Sequence, residues 1–106
     1  MFKLQLDRTE SADILNIGFV PSVSATNAEY VVFVDKALTK LIENAGMRGK
    51  LLKINGACSL PIGAIIAHKA AHLYASIAIF DPKLGEKGAY VVALSHGGLP
   101  VGTVID

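Results

Sequence analysis

The sequence predicts a small α/β protein in which two helices pack on a mixed sheet of about five to six strands. Two short N-terminal segments place apolar residues between polar ones, a pattern typical of paired antiparallel strands. Further along, a third strand, a helix and an apolar fourth strand have the order of a βαβ unit. The last strands are joined by too few residues for a crossover helix and must be antiparallel. We therefore expect one mixed sheet and a single domain over residues 1–106.

The first half of the chain contains two strands and one helix in this interpretation. Apolar residues alternate over 2–6, and a second apolar segment at 14–19 follows a polar break. Thr26 and Glu29 have the spacing of a capping box, in which each side chain satisfies a backbone donor at the start of a helix. Gly46 supplies a left-handed stop, so the first helix is predicted between these signals.

The second half supplies the rest of the sheet. Residues 50–55 predict a third strand, and a helix is expected from 61 to about 74. The apolar segment 76–81 is typical of a strand covered on both faces and should lie parallel to the third strand after a right-handed crossover. Residues 89–94 should return antiparallel beside it, and 101–106 can add one more short strand.

The composition limits the function classes. The chain is 52% hydrophobic and only 18% charged, which predicts that a second copy buries part of its surface. A net charge of +1 excludes the broad positive field of a protein that coats DNA, but permits a compact anionic ligand. Cys58 is the single cysteine, and charges near the N-terminus interrupt any signal peptide. The uncharged stretch 54–67 is too short to span a bilayer, so we expect a cytoplasmic protein without a membrane segment.

All three histidines lie in the second half of the chain. His68 and His72 are four residues apart in the predicted helix and should share one of its faces. They are either a metal-binding or acid–base pair, or two interfacial histidines with satisfied hydrogen bonds. Lys69 either binds a phosphate or lays its aliphatic stem along the core with its ammonium group in water.

Polar residues also follow the predicted fourth strand. Asp81 and Pro82 stand at the edge where open α/β sheets usually bind ligands, although Asp-Pro also begins ordinary turns. Lys83 is either an anion contact or a solvated loop lysine. Gly56 and Gly97 lie in loops whose backbone N–H groups can approach a phosphate. The chain has neither a Walker motif nor the glycine spacing of dinucleotide-binding proteins, which excludes those two modes of nucleotide binding.

Three motifs together carry a family resemblance: AHKAAH at 67–72, FDPKLG at 80–85 and LSHGG at 94–98. On these motifs the chain resembles CRISPR ring nuclease family three, the small Csx-type accessory proteins of type III CRISPR systems. The resemblance implies a Rossmann-like domain related to sensors of cyclic oligoadenylate, forming homodimers that bind cyclic tetra-adenylate and cleave it with Mn²⁺. It also implies removal of 3′ adenylates from RNA as an alternative activity. Because relatives can continue into an ATPase domain, a fragment of a longer chain is one reading of this sequence.

The resemblance assigns the catalytic roles to His72 and Asp81, with Asp81 as the ligand of Mn²⁺. The family relative has arginine where this chain has Lys83, and lysine keeps the charge but loses the paired hydrogen bonds of a guanidinium group. His68 is the alternative to His72, because the relative is one residue shorter around the helical histidines. The expected ligand-binding residues are His68, Lys69, Lys83, Ser95, His96 and Gly97.

Strand directions predict where these residues lie. The five steps from Ser76 to Asp81 cover about 16 Å at the usual rise of about 3.3 Å, so His72 and Asp81 should lie at opposite edges of the sheet. The next strand runs back and should return Ser95 and His96 to the His72 edge. A shared site then requires two dimers, stacked into a tetramer or filament with the ligand between them.

Three hypotheses remain open on the sequence. The leading one is a Mn²⁺-dependent phosphodiesterase that degrades cyclic tetra-adenylate in type III CRISPR antiviral signalling, with a site shared between stacked dimers. The second is a non-catalytic regulatory module that binds cyclic or linear oligoadenylate. The third is a structural oligomerisation domain that binds no nucleotide. Measurements of oligoadenylate binding and turnover distinguish the three.

Overall fold

The computed structural model describes residues 1–106 and contains six strands and two helices. This confirms the predicted α/β class. The elements are β1 (Phe2–Arg8), β2 (Asp13–Phe19), α1 (Asn27–Ala45), β3 (Gly49–Gly56), α2 (Leu60–Ala70), β4 (Tyr74–Asp81), β5 (Ala89–Ser95) and β6 (Val104–Ile105). No helix is both long enough and apolar enough to cross a membrane.

The six strands form one open sheet in the order β1-β2-β3-β4-β5-β6. The central strands β2, β3 and β4 are parallel, whereas β1, β5 and β6 are antiparallel to their neighbours. Both βαβ crossovers step in the same direction across the sheet, and right-handed crossovers then put both helices on one face. The two helices contact each other there. This arrangement is consistent with a small Rossmann-like fold.

Helix α1 begins and ends where the sequence predicts. The Thr26 hydroxyl accepts a hydrogen bond from the Glu29 N–H at 3.2 Å, and the Glu29 carboxylate accepts one from the Thr26 N–H at 2.9 Å. These hydrogen bonds hold the pKa of Glu29 below its ordinary value. Gly46 ends the helix in the left-handed conformation, with φ of 61°.

Helix α2 is shorter than predicted, and the expectation of a helix to residue 74 is wrong. It ends at Ala70, after which the Leu73 N–H donates to the Ala70 carbonyl in a tight turn. Tyr74 already belongs to β4 and is buried in the core. An aromatic residue prefers a half-buried strand to a helix end, which explains the early stop. His72 therefore lies in the turn and does not share a helix face with His68.

The core lies between the sheet and the two helices. Its largest fully buried side chains include Leu15, Leu38, Leu52, Ile62, Ile66 and Ile77. The middle of β4 is buried on both faces, since Ser76, Ile77 and Ala78 are consecutive and each at most 1% exposed. The helices cover one face, and the chain around Leu99 covers the other, where the Leu99 N–H donates to the Ser76 hydroxyl. The predicted two-sided burial of this strand is confirmed.

Candidate functional site

The predicted site residues divide between the two edges of the sheet. We call the edge where β2, β3 and β4 begin the amino edge; it holds Asp13, Gly49 and Tyr74. We call the opposite edge the carboxyl edge; it holds Gly56 and Asp81. Because β5 is antiparallel to β4, its last residue returns to the amino edge.

His72 and His96 meet at the amino edge. Their ring centres are 5.7 Å apart, the ring planes are inclined by 32°, and both side chains are exposed. The pairing of β4 with β5 sets Ser95 opposite Ser76, and the His96 N–H donates to the Ala75 carbonyl at 2.7 Å. This juxtaposition is the one that the strand directions predict.

A tight loop after β5 holds His96 in place. The Leu99 N–H donates to the Ser76 hydroxyl at 2.7 Å, which ties the loop to β4. A Cβ atom at Gly98 would lie 2.1 Å from the Ser76 hydroxyl oxygen and 2.7 Å from the Ala75 carbonyl oxygen. Only glycine therefore permits this approach of the loop to the strand.

Arg48 lies with the two histidines, although it was not among the site residues that the sequence predicts. The side chains of Arg48, His72 and His96 line one open cavity of about 400 Å³, with the chain from Ala71 to Ala75 as its floor. No aspartate or glutamate lines this cavity. The Arg48 side chain is exposed and makes no hydrogen bond or ion pair. Its position just before β3 was the available signal, because neighbouring parallel strands begin at the same edge.

A polar network stabilises the amino edge beside this cavity. The Tyr74 hydroxyl donates to the Asp13 carboxylate at 2.6 Å, and Arg8 pairs with the same carboxylate at 3.5 Å. Arg8 also donates to the Gly46 carbonyl at 3.0 Å. Burial, together with the hydrogen bond to Asp13, raises the pKa of Tyr74 above its ordinary value. The Asp13 charge is thus compensated by Arg8, and the chain's other arginine, Arg48, is left free.

The carboxyl edge holds Asp81 and Lys83 in a local turn. One oxygen of the Asp81 carboxylate accepts the Lys83 N–H at 2.9 Å, and the Lys83 side chain is exposed without a partner. Strand β4 runs from Tyr74 to Asp81, so its ends lie about 23 Å apart at about 3.3 Å per residue. His72 and Asp81 therefore do not meet within one chain, as the strand length predicts.

The residues of one chain do not fit a complete Mn²⁺ site. Nowhere in residues 1–106 do three histidine, cysteine, aspartate or glutamate side chains come together. Asp81 already uses one carboxylate oxygen in its turn. Manganese prefers several oxygen ligands at once, which this turn does not offer alone.

The other predicted residues are spread over the fold. Lys69 pairs with Asp35 at 2.7 Å and donates to the Thr39 hydroxyl at 2.7 Å, so its ammonium group links α2 to α1. Neither of the two readings of Lys69 foresaw this ion pair. His68 is exposed and lines a different cavity, next to Lys69 and Glu43. Of His68 and His72, only His72 lies beside His96.

The backbone near the histidine pair offers donors as well. Gly97 has φ of 81° and is exposed immediately after His96, where an N–H group can face a ligand.

A comparison of the chain with protein-family models and with curated proteins found no match. The chemistry available at the amino edge is that of an anion site, with two imidazoles and one guanidinium group that can face a phosphate.

Proposed function

We propose that this protein is a phosphodiesterase that cleaves cyclic tetra-adenylate, as the resemblance to CRISPR ring nuclease family three implies. The observation that supports the proposal most is the pair formed by His72 and His96, with the free Arg48 in the same cavity. Histidine is the side chain that most readily exchanges protons at neutral pH. A pair of imidazoles beside a cation suits proton transfer at a bound phosphodiester.

The site is completed between two dimers in this proposal. His72 of one dimer acts as general acid or base, and Asp81 and Lys83 of a facing dimer approach the same ligand from their own edge. His96 and the Gly97 N–H hold neighbouring phosphates. A cyclic ligand with repeated phosphates can contact both edges at once, so its binding stacks dimers into a tetramer or filament.

Two further parts of the proposal rest on the resemblance. Dimers would form first, and Leu60 on α2, which is 88% exposed in one chain, is an apolar residue available to such a contact. Mn²⁺ would take Asp81 as one ligand and would need the others from the facing copy or the substrate.

The test is an incubation of radiolabelled cyclic tetra-adenylate with the protein, with Mn²⁺ or with a chelator, read for linear products. His72→Ala and Asp81→Ala should each lose nearly all turnover, and mixing the two variants should restore part of it. His68→Ala tests the alternative histidine and should keep turnover if His72 is catalytic, and Glu43→Ala, an exposed carboxylate on α1, is the matched control for Asp81→Ala. Linear oligoadenylate in the same assay tests the alternative deadenylating activity.

The outcomes separate the hypotheses. No recovery on mixing, with both variants folded, would contradict the shared site. Tight binding of cyclic tetra-adenylate without any turnover would favour the regulatory module instead. An absence of binding by calorimetry would leave only the structural role. Ligand-induced stacking should also appear as a rise in mass in light scattering.

A further inference from the structure

We infer that Arg48 binds the phosphate that faces His72 and His96, and that Lys50 binds the next phosphate of the same oligoadenylate strand. This inference rests on the proposed function and adds to it the residues of one chain that recognise the substrate backbone. It places the phosphate contacts on the amino edge, independent of Asp81 and of any metal.

The cavity lined by Arg48, His72 and His96 contains a cation and no carboxylate. Its ionisable lining consists of one arginine, two histidines and the buried Tyr74, whose hydroxyl is already bonded to Asp13. A cavity that presents one guanidinium group and two imidazoles without a carboxylate favours an anion. Its volume of about 400 Å³ is enough for a phosphate with part of a nucleoside.

The two arginines of the chain differ in whether the fold supplies them with a partner. Arg8 is used inside the fold, where it contacts the Asp13 carboxylate and the Gly46 carbonyl. Arg48 has no intramolecular partner, yet it lies immediately before the central strand β3 and beside the histidine pair. A guanidinium group forms two parallel hydrogen bonds with one phosphate, which suits this position.

Two further cavities share lining residues with the cavity of the histidines and together form a groove along the amino edge. Arg48 also lines a neighbouring cavity of about 220 Å³, together with Ser11, Glu10 and Lys50. Lys50 in turn lines a third cavity, of about 470 Å³, beside Gly97. The Lys50 side chain is exposed and unpaired. Glu10 and Asp13 also line the first of these cavities, but Asp13 is paired with Arg8 and neither carboxylate lines the cavity of the histidines.

The experiment measures binding of fluorescent, 2′-O-methylated linear tetra-adenylate in chelator, across a range of salt concentrations. Arg48→Gln should weaken binding on the order of tenfold, as expected for a lost charge-assisted hydrogen bond. It should also flatten the slope of log K against log salt by about 0.7, the value for one phosphate contact on a single strand. Arg48→Lys should keep the slope while losing affinity. Lys50→Gln, as a single substitution, should flatten the slope by a similar amount. Lys40→Gln on α1 is the matched control.

A second probe separates this inference from the proposed function. Inorganic pyrophosphate should perturb the ring resonances of His72 and His96 in NMR spectra and leave those of His68 unchanged. In Arg48→Gln the perturbation of His72 and His96 should be weaker. Cleavage of cyclic tetra-adenylate with unchanged binding by Arg48→Gln would overturn the inference and leave the function intact. Pyrophosphate binding that depends on Arg48, without cleavage of any oligoadenylate, would support the phosphate contact and overturn the proposed function. Failure of the wild-type protein to bind either probe would overturn the inference.

Discussion

The amino and carboxyl edges of the sheet are built in different ways. At the amino edge, Arg48, His72 and His96 come from three separate parts of the chain and are brought together by strand pairing. At the carboxyl edge, Asp81 and Lys83 are two residues apart and are joined by a local hydrogen bond. The first arrangement depends on the whole fold, whereas the second depends on one turn. Substitutions that change the packing between strands should therefore disturb the amino edge and leave the Asp81 turn unchanged.

The strongest test of this difference is Gly98→Val. A side chain at this position would overlap the Ser76 hydroxyl and the Ala75 carbonyl, so the loop after β5 must move away from β4. We expect the free energy of unfolding to fall by about 3 kcal/mol, the upper part of the usual range for overpacking. His96 should leave His72, and turnover should fall with it, while the Asp81 turn keeps its geometry.

Gly18→Val is the matched control for Gly98→Val. Gly18 also lies in the sheet region, but a Cβ atom there would meet nothing within 4 Å. Denaturant unfolding gives the stability of both variants, and NMR contacts between the His72 and His96 rings report the site. Retention of those contacts in folded Gly98→Val would contradict the role given to this loop.

Tyr74→Phe has the next largest expected effect on stability, because it removes a hydrogen bond that stabilises the amino edge. The variant loses the hydrogen bond to Asp13, at a cost of about 1.5 kcal/mol for a bond to a charged acceptor. Because the pKa of Tyr74 is raised in the folded protein, the folded state retains this proton above about pH 10, where an unfolded tyrosine loses it. The stability from Tyr74 is therefore present below about pH 10 and declines as the pH rises further.

Unfolding measured from pH 8 to pH 11 checks the Tyr74 prediction. The wild-type protein should lose stability more steeply at the alkaline end than Tyr74→Phe does. Tyr30→Phe is a suitable control because Tyr30 is a buried tyrosine with no hydroxyl hydrogen bond in this structure. Equal slopes for the wild type and Tyr74→Phe would mean that burial and the hydrogen bond to Asp13 do not raise the pKa of Tyr74 in the folded protein.

The same contrast explains what could be predicted from the sequence. Helix α1 was predictable because its capping box and its terminal glycine act within a few residues. The meeting of His72 with His96 followed from strand direction and length alone. The end of α2 was not predictable from spacing, since burial of Tyr74 in the sheet overrides the helical pattern. Arg48 and the Lys69 ion pair depend on which elements become neighbours, which no local pattern records.

The smallest expected effect belongs to Lys69→Met, which tests the one predicted ligand residue that the fold uses elsewhere. Methionine keeps the apolar stem and removes only the ammonium group that pairs with Asp35. Because the Asp35 side chain is 52% exposed, solvent screens this pair, and we expect a loss of at most about 1 kcal/mol. Oligoadenylate binding should be unchanged, since Lys69 lies away from the cavity of Arg48 and the histidines. A marked loss of binding by folded Lys69→Met would return this lysine to the site, and the recognition of phosphate would then extend from the amino edge onto α2.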